Sequence, residues 1–339
     1  MLQRIKASVQ TKAWQKALAE AVKNPWELLT LLGLEDDRIA TQIDQQPDFP
    51  LRVPHSYIDR MKPGDPNDPL LHQVLARAAE NTHVTGFNTN PVGDDAATLQ
   101  RGLLQKYRGR VLIMTTAACP IHCRYCFRRH FPYEAHNGQH RDWRHTIDAI
   151  AADATITEVI LSGGDPLSLT DDYLAILVKA LDRIPHLKRL RIHSRFPIVL
   201  PQRIDVSLLE WLGATRLKTT LVVHCNHANE IDQEVAEAMN RLKNRGVTLL
   251  NQSVLLKGVN DNEQALSTLS ERLFEAGILP YYLHMLDKVA GAAHFDSSEH
   301  EALALMEKLR QRLPGYLVPK LVREVAGERA KRPVIPNRQ

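Results

Sequence analysis

RVLIMTTAACPIHCRYC, residues 110–126, joins an apolar, β-branched run to a dense group of cysteines. Its first seven residues have the composition of a buried β-strand, and three of the chain's four cysteines follow within the next ten positions. The spacing of Cys119, Cys123 and Cys126 is C-x3-C-x2-C. A strand that ends on reactive side chains is typical of enzymes built on parallel strands, because the carboxyl ends of such strands carry the site.

Five more strand-like runs follow the first one and alternate with helical patterns. The runs occupy residues 157–163, 187–194, 217–224, 246–253 and 279–286, and helical patterns occupy residues 171–183, 229–245, 262–276 and 298–312. Six βα units in sequence predict a parallel sheet with right-handed crossovers, either doubly wound or barrel-like.

Chemically capable residues come after almost every predicted strand. Beyond the cysteines they are GGDP (163–166), SRFP (194–197), HCNH (224–227), NQS (251–253) and HMLD (284–287). In a barrel the carboxyl ends of all strands lie on one face of the molecule, so residues from every strand can reach one site. In a doubly wound sheet the binding site lies mainly in one crevice between strands. We therefore predict an α/β fold with a partial (βα)6-type barrel over residues 106–312. A mainly helical region over residues 1–105 precedes it, with Asn24 as an N-cap before Pro25 and a further helix expected over DPLLHQVLARAAEN (68–81). A short irregular segment over residues 313–339 follows.

Composition and charge limit the classes of function. The chain has 339 residues, of which 44% are hydrophobic and 24% charged, and these are ordinary values for a globular protein. A net charge of +4 is too small to indicate nucleic-acid binding, and no apolar run approaches the roughly 18 residues of a membrane span. Four cysteines are too few for a disulfide framework. We expect a reducing cytoplasm and neither nucleic acid nor membrane as a partner.

The cysteine triplet is compatible with three kinds of chemistry. Structural zinc needs about four ligands, and His122 or His224 would complete the set. A redox-active C-x-x-C pair leaves Cys119 unexplained. Iron–sulfur clusters are usually held by four thiolates, so three would leave one iron open to a reacting ligand. The fourth cysteine, Cys225, lies about a hundred residues further on and is expected in a pocket wall.

The triplet, with Tyr125 before its last cysteine, resembles that of the radical S-adenosylmethionine (SAM) enzymes, in which the open iron of a 4Fe–4S cluster binds SAM. GGDP resembles their glycine-rich SAM-binding turn. From about residue 50 onward the chain is similar to the lysine 2,3-aminomutase family and resembles most its EpmB type, which serves elongation factor P. The stretches that carry this similarity are CRYCFRRHF (123–131), SRFPIVLPQRI (194–204), HCNHANE (224–230), NQSVLLKGVND (251–261) and YYLHMLDKVAGAAHF (281–295).

The resemblance implies an isomerase that converts L-lysine to (R)-β-lysine by moving the amino group from Cα to Cβ. SAM supplies the radical, and pyridoxal 5′-phosphate (PLP), held as a Schiff base on a lysine, carries the nitrogen. The matching lysine is Lys331, in EVAGERAK (324–331). The resemblance also implies a flavodoxin- or ferredoxin-like electron donor, a link to a β-lysine ligase and elongation factor P, and a cytoplasmic monomer or small homo-oligomer.

Site residues carry over from the resemblance position by position. Cys119, Cys123 and Cys126 would hold the cluster, and Arg128 would pair with the substrate carboxylate. Asp287 and Glu324 would bind the ε-ammonium group, although relatives have the shorter aspartate at position 324. A cation at Arg329 or Arg332 would favour the neutral amine of Lys331. The candidates for SAM or PLP contacts are Arg110, Gly163, Gly164, Asp165, Ser194, Arg195, His224, Asn251 and Gln252, with Asp165 expected to accept from a ligand ammonium.

Two alternatives stay open at this point. A 2,3-aminomutase for glutamate would need cationic partners where this chain has Asp287 and Glu324, so the sequence disfavours it. A zinc-stabilised barrel that binds a partner without catalysis belongs to a different class, and metal analysis would separate it from an iron–sulfur enzyme.

Overall fold

The computed structural model describes residues 12–133 and 143–336. The ends of the predicted N-terminal and C-terminal segments, residues 1–11 and 337–339, lie outside the described residues. The α-helices are α1 Ala13–Ala19, α2 Pro25–Leu32, α3 His55–Ile58, α4 Pro69–His72, α5 Arg144–Ala152, α6 Asp171–Asp182, α7 Phe196–Val199, α8 Val206–Ala214, α9 Gln233–Asn244, α10 Glu263–Glu275 and α11 Glu299–Arg312. The strands are β1 Thr98–Gln100, β2 Leu103–Leu104, β3 Arg110–Thr116, β4 Glu158–Gly163, β5 Arg189–Ser194, β6 Lys218–Val223, β7 Thr248–Val254, β8 Leu279–His284, β9 Lys320–Arg323 and β10 Arg332–Pro333.

The strands form one sheet in chain order. Strands β3 to β9 are parallel to their neighbours, while β1, β2 and β10 add antiparallel pairs at the two edges. The parallel neighbours are connected in turn through α5, α6, α7 with α8, α9, α10 and α11. Strands β3 to β8 and the helices that follow them are therefore six βα units that lead into β9, which confirms the predicted α/β, partial (βα)6-type barrel.

Along strands that pack one face against the helices, buried and partly exposed residues alternate with the two-residue period of a strand. In β5 and β7 buried residues alternate with partly exposed ones, whereas β4 is buried along its whole length. Leu190, Ile192 and Leu249 of these strands pack with residues of α6, α8 and α9 in the main hydrophobic core. Because of this alternation, every second side chain points away from the core. At the carboxyl ends of the strands, the side chains that point away from the core line the site.

The N-terminal region departs from its predicted helical character. Asn24 does cap α2, since its Oδ1 accepts from Trp26 N at 2.8 Å, and Pro25 is the first helical residue. The helical pattern over residues 68–81, however, gives only α4 and one 3-10 turn at Ala78–Asn81. The carbonyl of Gln73 accepts from Arg124 N at 2.9 Å instead of continuing the helix. Strands β1 and β2 also belong to this region, so it contributes to the sheet.

The C-terminal segment is also more regular than predicted. Strand β9 pairs in parallel with β8, and Leu321 and Val322 are buried. Four residues are too few to show a strand period in the sequence, and pairing with β8 stabilises them instead. Glu324 therefore lies at the carboxyl end of a seventh parallel strand. Within the described residues, no helix has both the length and the apolar character to cross a bilayer.

Candidate active site

The carboxyl ends of the parallel strands surround a cavity of about 350 Å³. The residue clusters predicted after six strands all contribute to its wall, and segments beyond β9 complete it. The predicted site residues that line it are Arg110, Cys119, Cys123, Cys126, Arg128, Gly163, Gly164, Asp165, Ser194, Arg195, His224, Gln252, Asp287, Glu324 and Lys331. Two residues predicted at the pocket, Asn251 and Cys225, do not line the cavity.

Strand alternation explains why Asn251 lies elsewhere. Gln252 faces the cavity, so its neighbour Asn251 points to the opposite side, where it is buried. The side chain of Asn251 exchanges hydrogen bonds with the backbone of Cys225, accepting from its N at 2.9 Å and donating to its O at 3.0 Å. Asn251 thus connects the ends of β6 and β7. Cys225 itself is fully buried in the main core, which corrects its predicted place in the pocket wall.

The GGDP turn supports the cysteine loop by close backbone contact. Gly163 has φ +126°, and a Cβ atom there would lie 2.5 Å from the Thr116 carbonyl oxygen. A Cβ atom on Gly164 would lie 2.5 Å from the Ala118 carbonyl oxygen. Asp165 N donates to that same oxygen at 2.8 Å. Glycine is required at both positions because the end of β4 touches the backbone that leads into Cys119.

Replacing Gly163 with alanine should therefore destabilise the fold. We expect the free energy of unfolding to fall by about 2–5 kcal/mol, because the new methyl group adds a clash to a strained backbone conformation. Gly246→Ala is the matched control, since Gly246 also has positive φ (+76°) but open space around it. The control should lose about 1–2 kcal/mol. Equal losses in urea denaturation would show that the contact with Thr116 is unimportant.

Asp165 has a different role from the predicted one. Its Oδ1 accepts from Leu167 N at 3.0 Å and from Ser194 Oγ at 2.8 Å, and its Oδ2 accepts from Arg195 N at 2.8 Å and Phe196 N at 3.1 Å. Burial raises the pKa of this carboxyl group to about 6 despite these donors. Four bonds fill the acceptor capacity of a carboxylate, so no position is left for a ligand ammonium. Asp165 fixes the end of β4 to the end of β5.

His224 and Gln252 form a neutral polar pair in the cavity wall. Gln252 Nε2 lies 3.1 Å from His224 Nε2, so the amide can donate to the ring. Burial, with the nearby cations Arg195, Arg128 and Lys331, lowers the pKa of His224 to about 3. The imidazole is therefore uncharged at neutral pH.

Charged side chains alternate in sign along another part of the cavity wall. Arg128 Nε lies 2.7 Å from Asp94 Oδ2, and Asp94 Oδ1 lies 2.8 Å from Lys106 Nζ. Lys106 is 3.8 Å from Glu324, which also accepts from Tyr107 Oη at 2.6 Å. Sequence reasoning missed Asp94, Lys106 and Tyr107. Lys106 and Tyr107 precede β3 directly and could have been proposed from that position, whereas no local pattern marks Asp94.

Lys331 lies beside a carboxylate and not beside the predicted arginines. Its Nζ is 2.7 Å from Glu324 Oε2 and 5.9 Å from the centre of the Tyr282 ring. Arg332 pairs instead with Glu328, and Arg329 is exposed. Neither arginine side chain forms a hydrogen bond or ion pair with Glu324 among the described residues, and the cation that the structure places near the Lys331–Glu324 pair is Lys106, 3.8 Å from Glu324.

Asp287 is a carboxylate without a hydrogen-bond or ion-pair partner among the described residues. It follows β8 and lines the cavity near Lys331 and Glu324. Burial, and to a smaller extent the charge of Glu324, raises the pKa of Asp287 to about 7. A buried acceptor in this state is suited to a cationic ligand group, because such a group would replace its missing partner.

Comparison with known proteins places this arrangement in a family. The radical SAM superfamily profile matches residues 113–212. A Haemophilus influenzae protein named L-lysine 2,3-aminomutase is 50% identical over 315 residues, which cover 93% of each chain. An Escherichia coli protein of that name is 49% identical over 322 residues, covering 95% of this chain and 94% of the relative. The chain belongs to the lysine 2,3-aminomutase family. A third relative of that name, from Clostridium subterminale, is 36% identical over 83% of this chain and 68% of its own.

As a radical SAM lysine 2,3-aminomutase, the protein is an isomerase that uses a 4Fe–4S cluster and SAM, and the cysteine loop fits such a cluster. Burial raises the pKa of Cys126 to about 11, with Cys123 adding to the shift, and burial also raises the pKa of Cys119, with Asp165 and the other two cysteines adding to it. Thiols that raise one another's pKa resist becoming thiolates together unless cationic iron binds them.

The zinc alternative lacks its predicted histidine ligands. His122 Nδ1 lies 2.8 Å from the Pro50 carbonyl, and His224 Nε2 is paired with Gln252. Over residues 12–133 and 143–336, no three His, Cys, Asp or Glu side chains approach closely enough for a single metal ion. The three cysteines of this aminomutase thus suit a larger cluster better than one zinc ion.

A second group of residues fits an anionic cofactor in the same cavity. Arg110 Nε, His193 Nε2 and His284 Nε2 are buried and have no hydrogen-bond partner among the described residues. All three residues line the cavity, and the Arg110 guanidinium stacks 4.6 Å from the centre of the Tyr107 ring. Buried polar nitrogens without partners are costly, so their convergence indicates a polar ligand, and a phosphate would suit them with Arg110 as the cation and each neutral imidazole donating through Nε2.

Proposed function

We propose that this aminomutase converts L-lysine to (R)-β-lysine with PLP bound to Lys331, and that the product serves the modification of elongation factor P. One observation carries the proposal: Lys331, Arg128 and the unpartnered Asp287 line a single cavity together with the three cysteines. A cofactor lysine, an anchor for a carboxylate and an anchor for an ammonium group are the parts that the reaction requires of the protein.

The two ends of the substrate would be bound by groups of opposite charge. Asp94 holds Arg128 through Nε, and Nη1 makes only a long contact of 3.4 Å with Ser162 Oγ, so the terminal nitrogens could turn to a bidentate contact with the substrate carboxylate. Asp287 would accept from the ε-ammonium group. The side-chain carboxylate of glutamate would meet Asp287 and Glu324 instead, and this repulsion disfavours the alternative substrate.

Glu324 would serve two amines in succession. It now orients Lys331 Nζ, while Tyr107 holds its other oxygen. Once Lys331 Nζ is occupied by the cofactor, Glu324 can turn to the substrate's ε-ammonium group beside Asp287. The glutamate side chain is one methylene longer than the aspartate of relatives, and its hydrogen bond to Tyr107 would fix that extra length.

The cofactors supply the difficult chemistry when bound: abstraction of a hydrogen atom from an unactivated carbon, and a conjugated system that carries the migrating nitrogen. The chain's own residues bind and orient the substrate. Arg110, His193 and His284 would hold the PLP phosphate through the buried donors described above. His224 and Gln252 would offer neutral hydrogen bonds to SAM, which adds no charge beside its sulfonium group.

Anaerobic reconstitution tests the function directly. Protein loaded with iron, sulfide, PLP and SAM and then reduced with dithionite should form (R)-β-lysine from L-lysine and leave L-glutamate unchanged. Chiral chromatography of the product gives its regiochemistry and stereochemistry, and metal analysis should find iron. A fully loaded enzyme that leaves lysine unchanged would refute the proposal, and colourless protein containing only zinc would favour the non-catalytic alternative.

The cellular role needs a separate test. The chain spans nearly the whole length of its Haemophilus and Escherichia relatives and 68% of the Clostridium relative. The proposed link to elongation factor P rests on the resemblance of the sequence to the EpmB type. In cells that carry this gene and a β-lysine ligase, elongation factor P should gain the mass of one β-lysyl group, and deletion of the gene should remove it. A flavodoxin- or ferredoxin-like protein would supply the electron. Unchanged factor mass after deletion would contradict the role.

A further inference from the structure

Arg195 is buried against the cysteine loop and was predicted only as a cofactor contact. Its Nη1 lies 2.7 Å from Cys123 Sγ and 2.5 Å from Tyr125 Oη. Its side chain is 5% exposed, and its backbone N donates to Asp165. The side-chain donors of this arginine are therefore directed at a cysteine of the loop and at the aromatic residue between the last two cysteines.

Three acceptors fix the other terminal nitrogen of Arg195. Nη2 donates to Tyr57 Oη at 3.0 Å, Gln73 Oε1 at 2.8 Å and Glu230 Oε2 at 2.9 Å. We call Tyr57, Gln73, Cys123, Tyr125 and Glu230, together with the arginine, the Arg195 network. Because the guanidinium plane is rigid, fixing Nη2 also fixes the direction of Nη1 toward sulfur.

Glu230 is itself immobile, so the network is a preorganised part of the structure. It is fully buried, and its Oε1 accepts from the backbone N of Asn226 at 2.9 Å and of His227 at 3.1 Å. Asn226 also donates to Tyr125 Oη at 2.6 Å. The loop after β6 thus holds a carboxylate on the side of Arg195 away from the cysteine. A guanidinium does not lose its proton in proteins, so a permanent positive charge stays next to Cys123.

We propose that Arg195 is a positioning residue that raises the reduction potential of the 4Fe–4S cluster by donating a hydrogen bond to the sulfur of Cys123. The inference rests on the proposed assignment of the cluster to the three cysteines. Reduction adds one electron from a low-potential one-electron donor and breaks no bond, so the cluster and its thiolates become more negative by one charge. A fixed cation and a hydrogen bond to sulfur stabilise that reduced state.

The sign of the effect follows from this charge balance. Without the arginine, the reduced cluster loses a cation and a donor, while the carboxylate of Glu230 remains buried nearby. Both changes make electron uptake harder and lower the potential. If Arg195 only packed against the loop, replacing it would alter the stability of the fold but leave the reduction potential of the cluster unchanged.

The experiment is a redox titration of reconstituted protein, followed by the electron paramagnetic resonance signal of the reduced cluster. Arg195→Gln should lower the equilibrium constant for one-electron reduction at least tenfold, which corresponds to a shift of about 59 mV. Arg195→Lys keeps the charge but cannot reach Cys123 and Glu230 together, so a smaller shift in the same direction is expected. If Arg195→Gln fails to fold, Arg195→Lys carries the test alone.

Arg203 provides the matched control. It is fully buried, and its Nη2 pairs with Asp171 Oδ1 at 2.9 Å, but its Nε donates to the Leu167 carbonyl and it does not line the cavity. Arg203→Lys should therefore change the stability without moving the potential. An unmoved potential in Arg195→Lys, or an equal shift in Arg203→Lys, would overturn the proposal.

A further variant separates this inference from the site assignment. Cys123→Ser should lose most of the cluster's iron if the three cysteines are the ligands. If Cys123→Ser keeps an intact cluster, the assignment itself fails. If it loses the cluster while the Arg195 variants retain wild-type potentials, the assignment stands and only the role of Arg195 is refuted.

Discussion

Lys331→Ala should lose the visible absorbance of protein-bound PLP and should form β-lysine roughly 10⁴-fold more slowly or not at all, the scale of loss seen when a covalent catalytic residue is removed. The reason is chemical, because Lys331 places an amine in the cavity whose wall also carries the unpartnered nitrogens of Arg110, His193 and His284. Absorbance spectra and the rate of product formation under anaerobic conditions measure the two effects.

Lys331→Arg is the matched control for that prediction. An arginine at this position keeps a cation beside Glu324, so the charge balance of the 2.7 Å pair is retained, but it has no amine able to link to the cofactor. We expect the arginine variant to fold and to bind iron like the wild type, yet to be as inactive as Lys331→Ala. Normal PLP absorbance in either variant would mean that another lysine carries the cofactor.

Asp287→Asn should reduce kcat/KM for L-lysine by roughly 10²- to 10³-fold, because a buried ammonium group would lose its charged partner. Iron and PLP contents should be unchanged, since the side chain of Asp287 forms no hydrogen bond or ion pair with another described residue. Asp296→Asn, which removes a carboxylate paired only loosely with Lys288 at 4.0 Å and outside the cavity wall, should leave kcat/KM close to the wild-type value.

The pH profile adds a second readout for Asp287. Its raised pKa of about 7 means that the carboxyl group is mostly protonated below pH 7 and cannot pair with an ammonium group. Wild-type kcat/KM should therefore rise with pH through about 7 and then level off, because this parameter reports the free enzyme. Asp287→Asn should lack that rise. A profile with the same rise in both proteins would assign it to another group and weaken the role of Asp287.

Much of the fold was predictable because its signals are local. The predicted strand at residues 110–116 has the observed bounds of β3, and the helix predicted over 171–183 appears as Asp171–Asp182. Strand and helix periods are properties of neighbouring residues, so the sequence contains them directly. Strand β9 and the broken helix at residues 68–81 were missed because their conformations depend on β8 and on Arg124, which are distant in the chain.

Candidate site positions could be predicted for a similar reason, while their roles could not. Residues at strand ends must meet at one face of the sheet, and the predicted ones do so except for Asn251 and Cys225. The partners of Asp165, Arg195 and Lys331, however, come from β5, the β6 loop and β9, and no local pattern specifies those distances. In the structure, Asp165 connects the ends of two strands, and Lys331 forms an ion pair with a carboxylate.

The sequence by itself determined the family, the partial barrel and the cysteine triplet, because each is expressed in short, contiguous stretches of the chain. Only the tertiary structure decided which face of a strand each polar side chain occupies and which charges it meets. Asn251 and Gln252 are adjacent in sequence, yet one connects two strands and the other lines the cavity. Neighbouring side chains of a strand point in opposite directions, and the register that orients them is set by pairing with the rest of the sheet.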